Sequence, residues 1–258
     1  MKRKEGTKLG AAHKLFSAAL VAGILIGFTW LSVGLVGIQL DFSTLLQYKI
    51  RFWQGFVMTI EISVASLVIS LLIGLITAFL QRSKVLVVSY LCKTYIQIIR
   101  GTPLLVQIYF FYYIIGTAWG INNRFLAGVL ILSLFEGAYI SEIIRGGYES
   151  IDTQNYEIAK AVGLTPAQTF QLVTLPLLLS RILPALAGQF ASIIKDSSLL
   201  SVIALIELTQ TTQEISADNF RMFENYIFVG LLYFILTFAV SLLSKRLEKR
   251  YNHGLRAH

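Results

Sequence analysis

Lys195-Asp196-Ser197-Ser198 sets an ammonium, a carboxylate and two hydroxyls side by side inside an apolar run at 184–206. Such a set can meet the carboxylate and ammonium groups of a zwitterion, because ionisable groups at membrane depth are costly and are kept where they face a cavity or a partner. Counting from Pro184 at about 1.5 Å per residue puts position 195 about 16 Å along a helix, near the middle of a hydrocarbon core of about 30 Å. Neighbouring residues on a helix point in different directions, so a neutralising Lys195–Asp196 pair that only packs the bundle is the competing reading. Glu61, in an apolar run at 53–80, and Glu136, near the centre of one at 126–144, add two more carboxylates. With Asp196 they outnumber Lys195 three to one, a balance that favours a cationic guest. Protonation, or hydrogen bonds to hydroxyls such as those of Ser63 and Ser133, would neutralise them instead.

A second stretch, YEIAKAVGLTPAQTFQLVTLPLL at 156–178, is water-compatible in a chain that is otherwise strongly apolar. Asp152 or Thr153 can cap a helix running through Glu157 and Ala161, and Gly163 suits the left-handed exit from it. Thr165-Pro166-Ala167-Gln168 fits a capping box with proline at the first helical position. The pattern predicts two short amphipathic helices at an angle. A hairpin this small cannot bury its own faces, so docking into a groove of another protein is the expected solution. Glu142 and Arg145, one turn apart, are expected to pair with each other near the end of their helix.

The elements that position these groups are transmembrane. The 258 residues are 55% hydrophobic and 14% charged, and the mean hydropathy is +0.69. A span needs about 20 apolar residues, and runs at 16–40, 53–80, 104–119, 126–144, 184–206 and 226–244 supply six, all helical. Residues 85–100 are expected as a helix at the interface, broken at Gly101–Pro103 before the third span. The net charge of +8 comes from Lys and Arg at the ends of apolar runs, which argues for topology and against a nucleic-acid partner. Alternating the loops gives Lys2, Arg3, Lys4, Lys8, Lys14, Arg82, Lys84, Arg145, Lys160, Arg181, Lys245, Arg246, Lys249, Arg250 and Arg256 to one side. The other side receives only Lys49, Arg51, Arg124 and Arg221. The positive-inside rule then places both termini and the hairpin in the cytoplasm. The basic start MKRKEGTKLGAAHK resembles a secretory signal, but the apolar run behind it is longer than such a signal needs, so a retained span is expected. Cys92 is the sole cysteine, which excludes an internal disulfide, and His13, His253 and His258 lie in polar tails, so no metal site is expected. Glu207 and TQTTQ at 209–213 are expected in a solvated outer loop.

Glu157-x-Ala159-x-x-x-Gly163, then nine residues, then Val173-x-Leu175-Pro176 resembles the EAA loop of ABC-importer permeases. RGTPLLVQIYFFYY at 100–113, GAYISEIIRGG at 137–147 and LPALAGQFASIIKDSSLLSVIALIEL at 183–208 extend the likeness to the polar amino acid permeases of the histidine/glutamine uptake family. Gln154-Asn155 stands where that pattern has Gly-Gln, and Ile158 occupies the second motif position. The resemblance implies an all-α, polytopic bundle of the type I ABC importer permease kind. An extra helix would precede it at 1–45, the permease core with its EAA-type coupling loop at 150–178 would occupy 46–250, and a cytoplasmic tail would follow at 251–258. It implies a bacterial inner-membrane subunit that works with ATPase subunits, a second permease, identical or paralogous, an extracytoplasmic solute-binding protein, and an amino acid as cargo. Docking to the ATPase would fall to Glu157, Ala159, Lys160, Gly163, Thr165 and Gln168, and the substrate-binding candidates are Lys195, Asp196, Ser197, Ser198, Glu61 and Glu136.

No G-x-x-x-x-G-K-[ST] loop is present, so the chain is expected to carry no cofactor and to leave ATP to its partners. A membrane enzyme is disfavoured, because no span carries H-E-x-x-H or a nucleophile paired with histidine. An ion-coupled carrier could use the intramembrane charges, but it has no need of a capped cytoplasmic hairpin.

Overall fold

The computed structural model describes residues 11–37 and 39–256; positions 1–10, with Lys2, Arg3, Lys4 and Lys8, lie outside them, as do 38 and 257–258 with His258. The chain divides into two compact units, residues 1–42 and 43–258. The first contains α1 (Ala11–Val36), apolar over Leu15–Ser32. The second holds α2 (Lys49–Leu80), α3 (Leu86–Gly101), α4 (Leu104–Tyr109) with a π-helical continuation (Phe110–Gly116), α5 (Arg124–Glu149) and α6 (Thr153–Ala161). It continues with α7 (Pro166–Thr169), a π-helical stretch (Phe170–Thr174), α8 (Leu175–Asp196), a 3-10 stretch (Ser197–Ile203), α9 (Leu208–Asn219) and α10 (Met222–Arg256). No strand occurs among the described residues. Among the described residues, five helical segments are long and apolar enough to cross a membrane, and the bent pair formed by α3 and the α4 continuation makes six if counted as one span.

Helices dominate because lipid offers backbone groups no hydrogen-bond partner, so each span must satisfy its own. The exception is the third span, bent by 113° at Thr102–Pro103. Proline cannot donate to the ladder and forces the preceding residue out of helical geometry, which leaves carbonyls open in α3. Gln107 closes them: its amide nitrogen donates to the Ile99 carbonyl at 2.7 Å and to Thr102 at the carbonyl, 3.1 Å, and at Oγ1, 2.8 Å. Buried hydroxyls obey the same rule. Ser63 donates to the Thr59 carbonyl, and Ser133 to those of Val129 and Ser66, so neither hydroxyl serves a carboxylate.

The bundle is built around α5, which packs on α2, α8 and α3. Its core is Ile62, Ile108, Leu132, Leu200 and Ile203. The α2–α5 crossing is close because both helices present glycine there. A Cβ at Gly74 would stand 2.5 Å from Cγ2 of Ile140, and one at Gly137 2.6 Å from Cγ2 of Ile73. Close packing through small residues is how helices gain attraction where lipid removes the hydrophobic drive.

Two expectations change. Pro184 does not open the fifth span; it lies inside α8, whose helix is continuous in register with residues from Pro166 onward. The segment after Glu207 is not a solvated loop. Glu207 is fully buried and caps α9, accepting from the Thr209 and Gln210 amides at 2.9 and 2.8 Å and from the Tyr233 hydroxyl at 2.6 Å. Thr211 and Thr212 are buried behind it. A run of threonines and glutamines reads as polar loop in one dimension, whereas the carboxylate cap turns it into a packed helix.

Candidate functional site

The hairpin forms as its caps dictate. Asp152 accepts from the Gln154 amide at 3.1 Å, which starts α6. At the other end the Leu164 amide donates to the Ala159 carbonyl at 3.0 Å and the Gly163 amide to that of Lys160 at 3.1 Å. This is the paired closure of a Schellman motif, and it places Gly163 at φ +80°. Thr165 and Gln168 then complete the capping box, the Thr165 amide donating to the Gln168 side chain at 2.9 Å and the Gln168 amide to Thr165 Oγ1 at 3.3 Å.

The second half differs from the expected short helix. From Pro166 the chain passes through one π-helical turn into α8 without a break. Pro176 lies in the first turn of α8 and has no amide to donate, and local widening of the helix accommodates that loss. The hairpin's second arm is therefore continuous with α8, within a segment long and apolar enough to cross a membrane.

Glu157, Lys160, Gly163, Thr165 and Gln168 all face outward. Ala159 is the exception; at 2% exposure it belongs to the packing side of α6. Ile158, Val162 and Leu172 remain 56, 68 and 65% exposed, an apolar surface that this chain does not cover. Tyr156 is half-buried, and that burial, the largest cause, raises its phenol above the ordinary range, so the ring stays neutral.

The second constellation lies between α5 and α8. Glu136 is fully buried; one carboxylate oxygen accepts from the Gln189 amide nitrogen, while the other has no hydrogen-bond partner among the described residues. Asp196 lies close enough to the same carboxyl to interact with it electrostatically. Gln189 and Asp196 are two turns apart on α8 and so share the face that meets Glu136. Sequence reasoning missed Gln189, although its spacing of seven from Asp196 was visible. Lys195, the next residue along, is turned outward, and Glu61 is likewise on the outer surface of this chain. Ser197 and Ser198 donate to the carbonyls of Ile194 and Lys195 at 2.8 and 2.6 Å. Of the six candidates, Glu136 and Asp196 come together and Glu61 and Lys195 stand apart from them.

Near the end of α5, Arg145 pairs with Glu142, Nε to oxygen at 2.8 Å, as its one-turn spacing predicts, and Arg100 reaches Glu142 from α3 at 3.2 Å. In the aromatic run at 109–113, Phe111 and Tyr112 pack on the core while Tyr109, Phe110 and Tyr113 stay largely exposed.

Comparison with known proteins follows the same lines. Residues 70–253 match the family described as binding-protein-dependent transport system inner membrane component. The chain is 38% identical over 202 residues to the probable glutamine ABC transporter permease protein GlnP of Bacillus subtilis (strain 168), covering 77% of this chain and 92% of that protein. It is 39% identical over 199 residues to the glutamine transport system permease protein GlnP of Escherichia coli (strain K12), covering 76% and 91%. Among solved structures, one chain of an amino acid ABC transporter crystallised with histidines superposes with a TM-score of 0.76 at 34% identity, covering 83% of this chain and all of that one. A chain of the inward-facing MetNI methionine ABC transporter, at 16% identity and a TM-score of 0.68, shares the fold. These relatives are permease subunits and not enzymes in themselves. The type I importer bundle, the family match across most of the chain and the apolar spans agree, and the protein belongs to the binding-protein-dependent transport system inner membrane components, as a permease subunit of an ABC importer.

Proposed function

We propose that this chain forms the membrane pathway of an ATP-driven importer of polar amino acids and couples to its ATPase through the α6–α7 hairpin. The observation that carries the reading is the hairpin itself: capped at both ends of α6 and at the start of α7, with Ile158 and Val162 exposed among polar residues on its outer face, and continuous with α8. An ATPase groove that receives Ile158 and Val162 would move α8 when the ATPase subunits close. A second permease and a solute-binding protein complete the assembly on this reading, and ATP stays with the ATPase.

For the cargo, we infer an amino acid with a cationic side chain. Glu136 and Asp196 put two carboxyls against one another, and a guest ammonium or guanidinium would offset the cost of burying them as carboxylates. The relatives named for glutamine favour a neutral cargo instead, in which case the two carboxyls share a proton.

The reading requires the hairpin on the ATP side of the membrane, with both termini there too. Reporter fusions at positions 45 and 122 are expected to read outside, and those at 83 and 165 inside. A fusion at 165 that reads outside removes the ATPase dock.

A further inference from the structure

A cavity of about 780 Å³ opens between the end of α2, the outward face of α3 and the second half of α5. It lies at the hairpin end of the bundle, because Gln81 directly follows α2 and Glu149 closes α5 just ahead of α6. Its walls carry Arg82, Lys93, Arg100 and Arg145 against Glu142 and Glu149. The carboxylates are already committed: Glu142 to Arg145 and Arg100, and Glu149 to Arg145 at 2.5 Å. Arg82 and Lys93 enter no ion pair among the described residues, and each lies beside an aromatic ring. The Arg82 guanidinium lies 4.0 Å from the Tyr148 ring and the Lys93 ammonium 6.0 Å from that of Tyr90. Two cations are thus left over at one cavity.

A separate observation points the same way. Gln81, another wall residue, is only 6% exposed, and its amide nitrogen finds no acceptor among the described residues. A buried donor left open is costly, and most such donors in native proteins meet a partner. Donor and guanidinium come from the turn after α2 and the ammonium from α3, and none of the three can accept a hydrogen bond through the group concerned. What they fit in common is a group with several anionic oxygens.

Depth narrows the choice further. Glu142 lies about 10 Å along α5 from its end at Glu149, and the headgroup layer on each face of a bilayer is about 5–8 Å thick. With the hairpin on the cytoplasmic side, as the proposed function has it, and α5 ending at the water boundary, the cavity spans the level at which lipid phosphates sit, and basic pockets between helices on that side suit anionic headgroups. We propose that this cavity binds a phosphate group, carried by a phospholipid headgroup of that leaflet or by a soluble phosphate. The three ion pairs around Glu142 and Arg145 hold its floor, and Gln81, Arg82 and Lys93 supply the free donors. The site is separate from the carboxyls between α5 and α8, and its fate does not depend on which amino acid is carried.

The test uses the purified transport complex. In one arm the complex is re-lipidated from phosphatidylglycerol or from phosphatidylcholine, stripped, and weighed by native mass spectrometry. In the other, inorganic phosphate is added and acetylation of Lys93 is followed by peptide mass. A lipid source predicts that phosphatidylglycerol, and not phosphatidylcholine, survives stripping; a soluble source predicts that phosphate slows acetylation about tenfold. Arg82→Gln should abolish whichever effect is seen, and Arg82→Lys should keep most of it, both in complexes that elute intact from size-exclusion chromatography. Equal retention of the two lipids together with no slowing of acetylation in the wild type, or an effect unchanged in Arg82→Gln, overturns the proposal.

Discussion

Replacing Gly163 by valine is expected to lower substrate-stimulated ATP hydrolysis by the assembled complex about tenfold or more, while insertion of the chain is unchanged. The cause is local. Gly163 closes the Schellman motif at φ +80°, and that region costs an L-residue about 1–2 kcal/mol, more for a β-branched side chain. A Cβ there would meet nothing within 4 Å, so within this chain the effect is backbone strain and not a clash. About 1.4 kcal/mol is a factor of ten in an equilibrium, which is enough to deprive the ATPase of a correctly angled hairpin. The order of variants is diagnostic: asparagine, which tolerates the left-handed region, should retain more activity than alanine, and alanine more than valine. If all three match the wild type, the turn between α6 and α7 carries no coupling. If asparagine fails as badly as valine, the partner touches the glycine itself.

Glu136→Gln is expected to reduce uptake of arginine and lysine about tenfold or more and uptake of glutamine about twofold or less. The replacement keeps the shape and can still accept from Gln189, so assembly should survive. What it removes is one ionisable group, at a position with no exposure. Breaking a buried charge pair costs about 3–5 kcal/mol, so a cationic guest should feel the loss far more than a neutral one. Competition between labelled arginine and unlabelled glutamine in reconstituted vesicles reads both at once. Equal loss for the two cargoes, or no binding of arginine by the wild type, assigns Glu136 and Asp196 to packing of α5 against α8.

The parts of this molecule written locally were legible beforehand, and those written by packing were not. Asp152, Gly163, Thr165 and Gln168 act on atoms within five residues of themselves, so caps and turn could be placed from residue type and spacing. The break before Pro103 has the same local cause. Gln107, which satisfies the opened carbonyls, has no signature of its own: a glutamine in an apolar run does not announce its acceptor. Pro184 reads locally as a helix start, whereas the helical register through residues 166–203 tolerates it. Glu207 failed for the opposite reason. Its polar neighbours suggest water, and only the tertiary partner Tyr233, far along the chain, reveals the burial. Glu136 and Asp196 could be singled out by cost, but their meeting depends on how α5 and α8 cross, which no short-range pattern encodes.

The account turns on whether energy reaches the spans through the hairpin. The direct measurement is amino acid uptake into vesicles containing the chain together with its ATPase and solute-binding protein, with ATP supplied only on the hairpin side and ion gradients collapsed by ionophores. Uptake that persists without gradients, stops without ATP, and falls in step with ATP hydrolysis in the Gly163→Val complex is the predicted result. Uptake by the chain without an ATPase, driven by a proton or sodium gradient and indifferent to ATP, would contradict it.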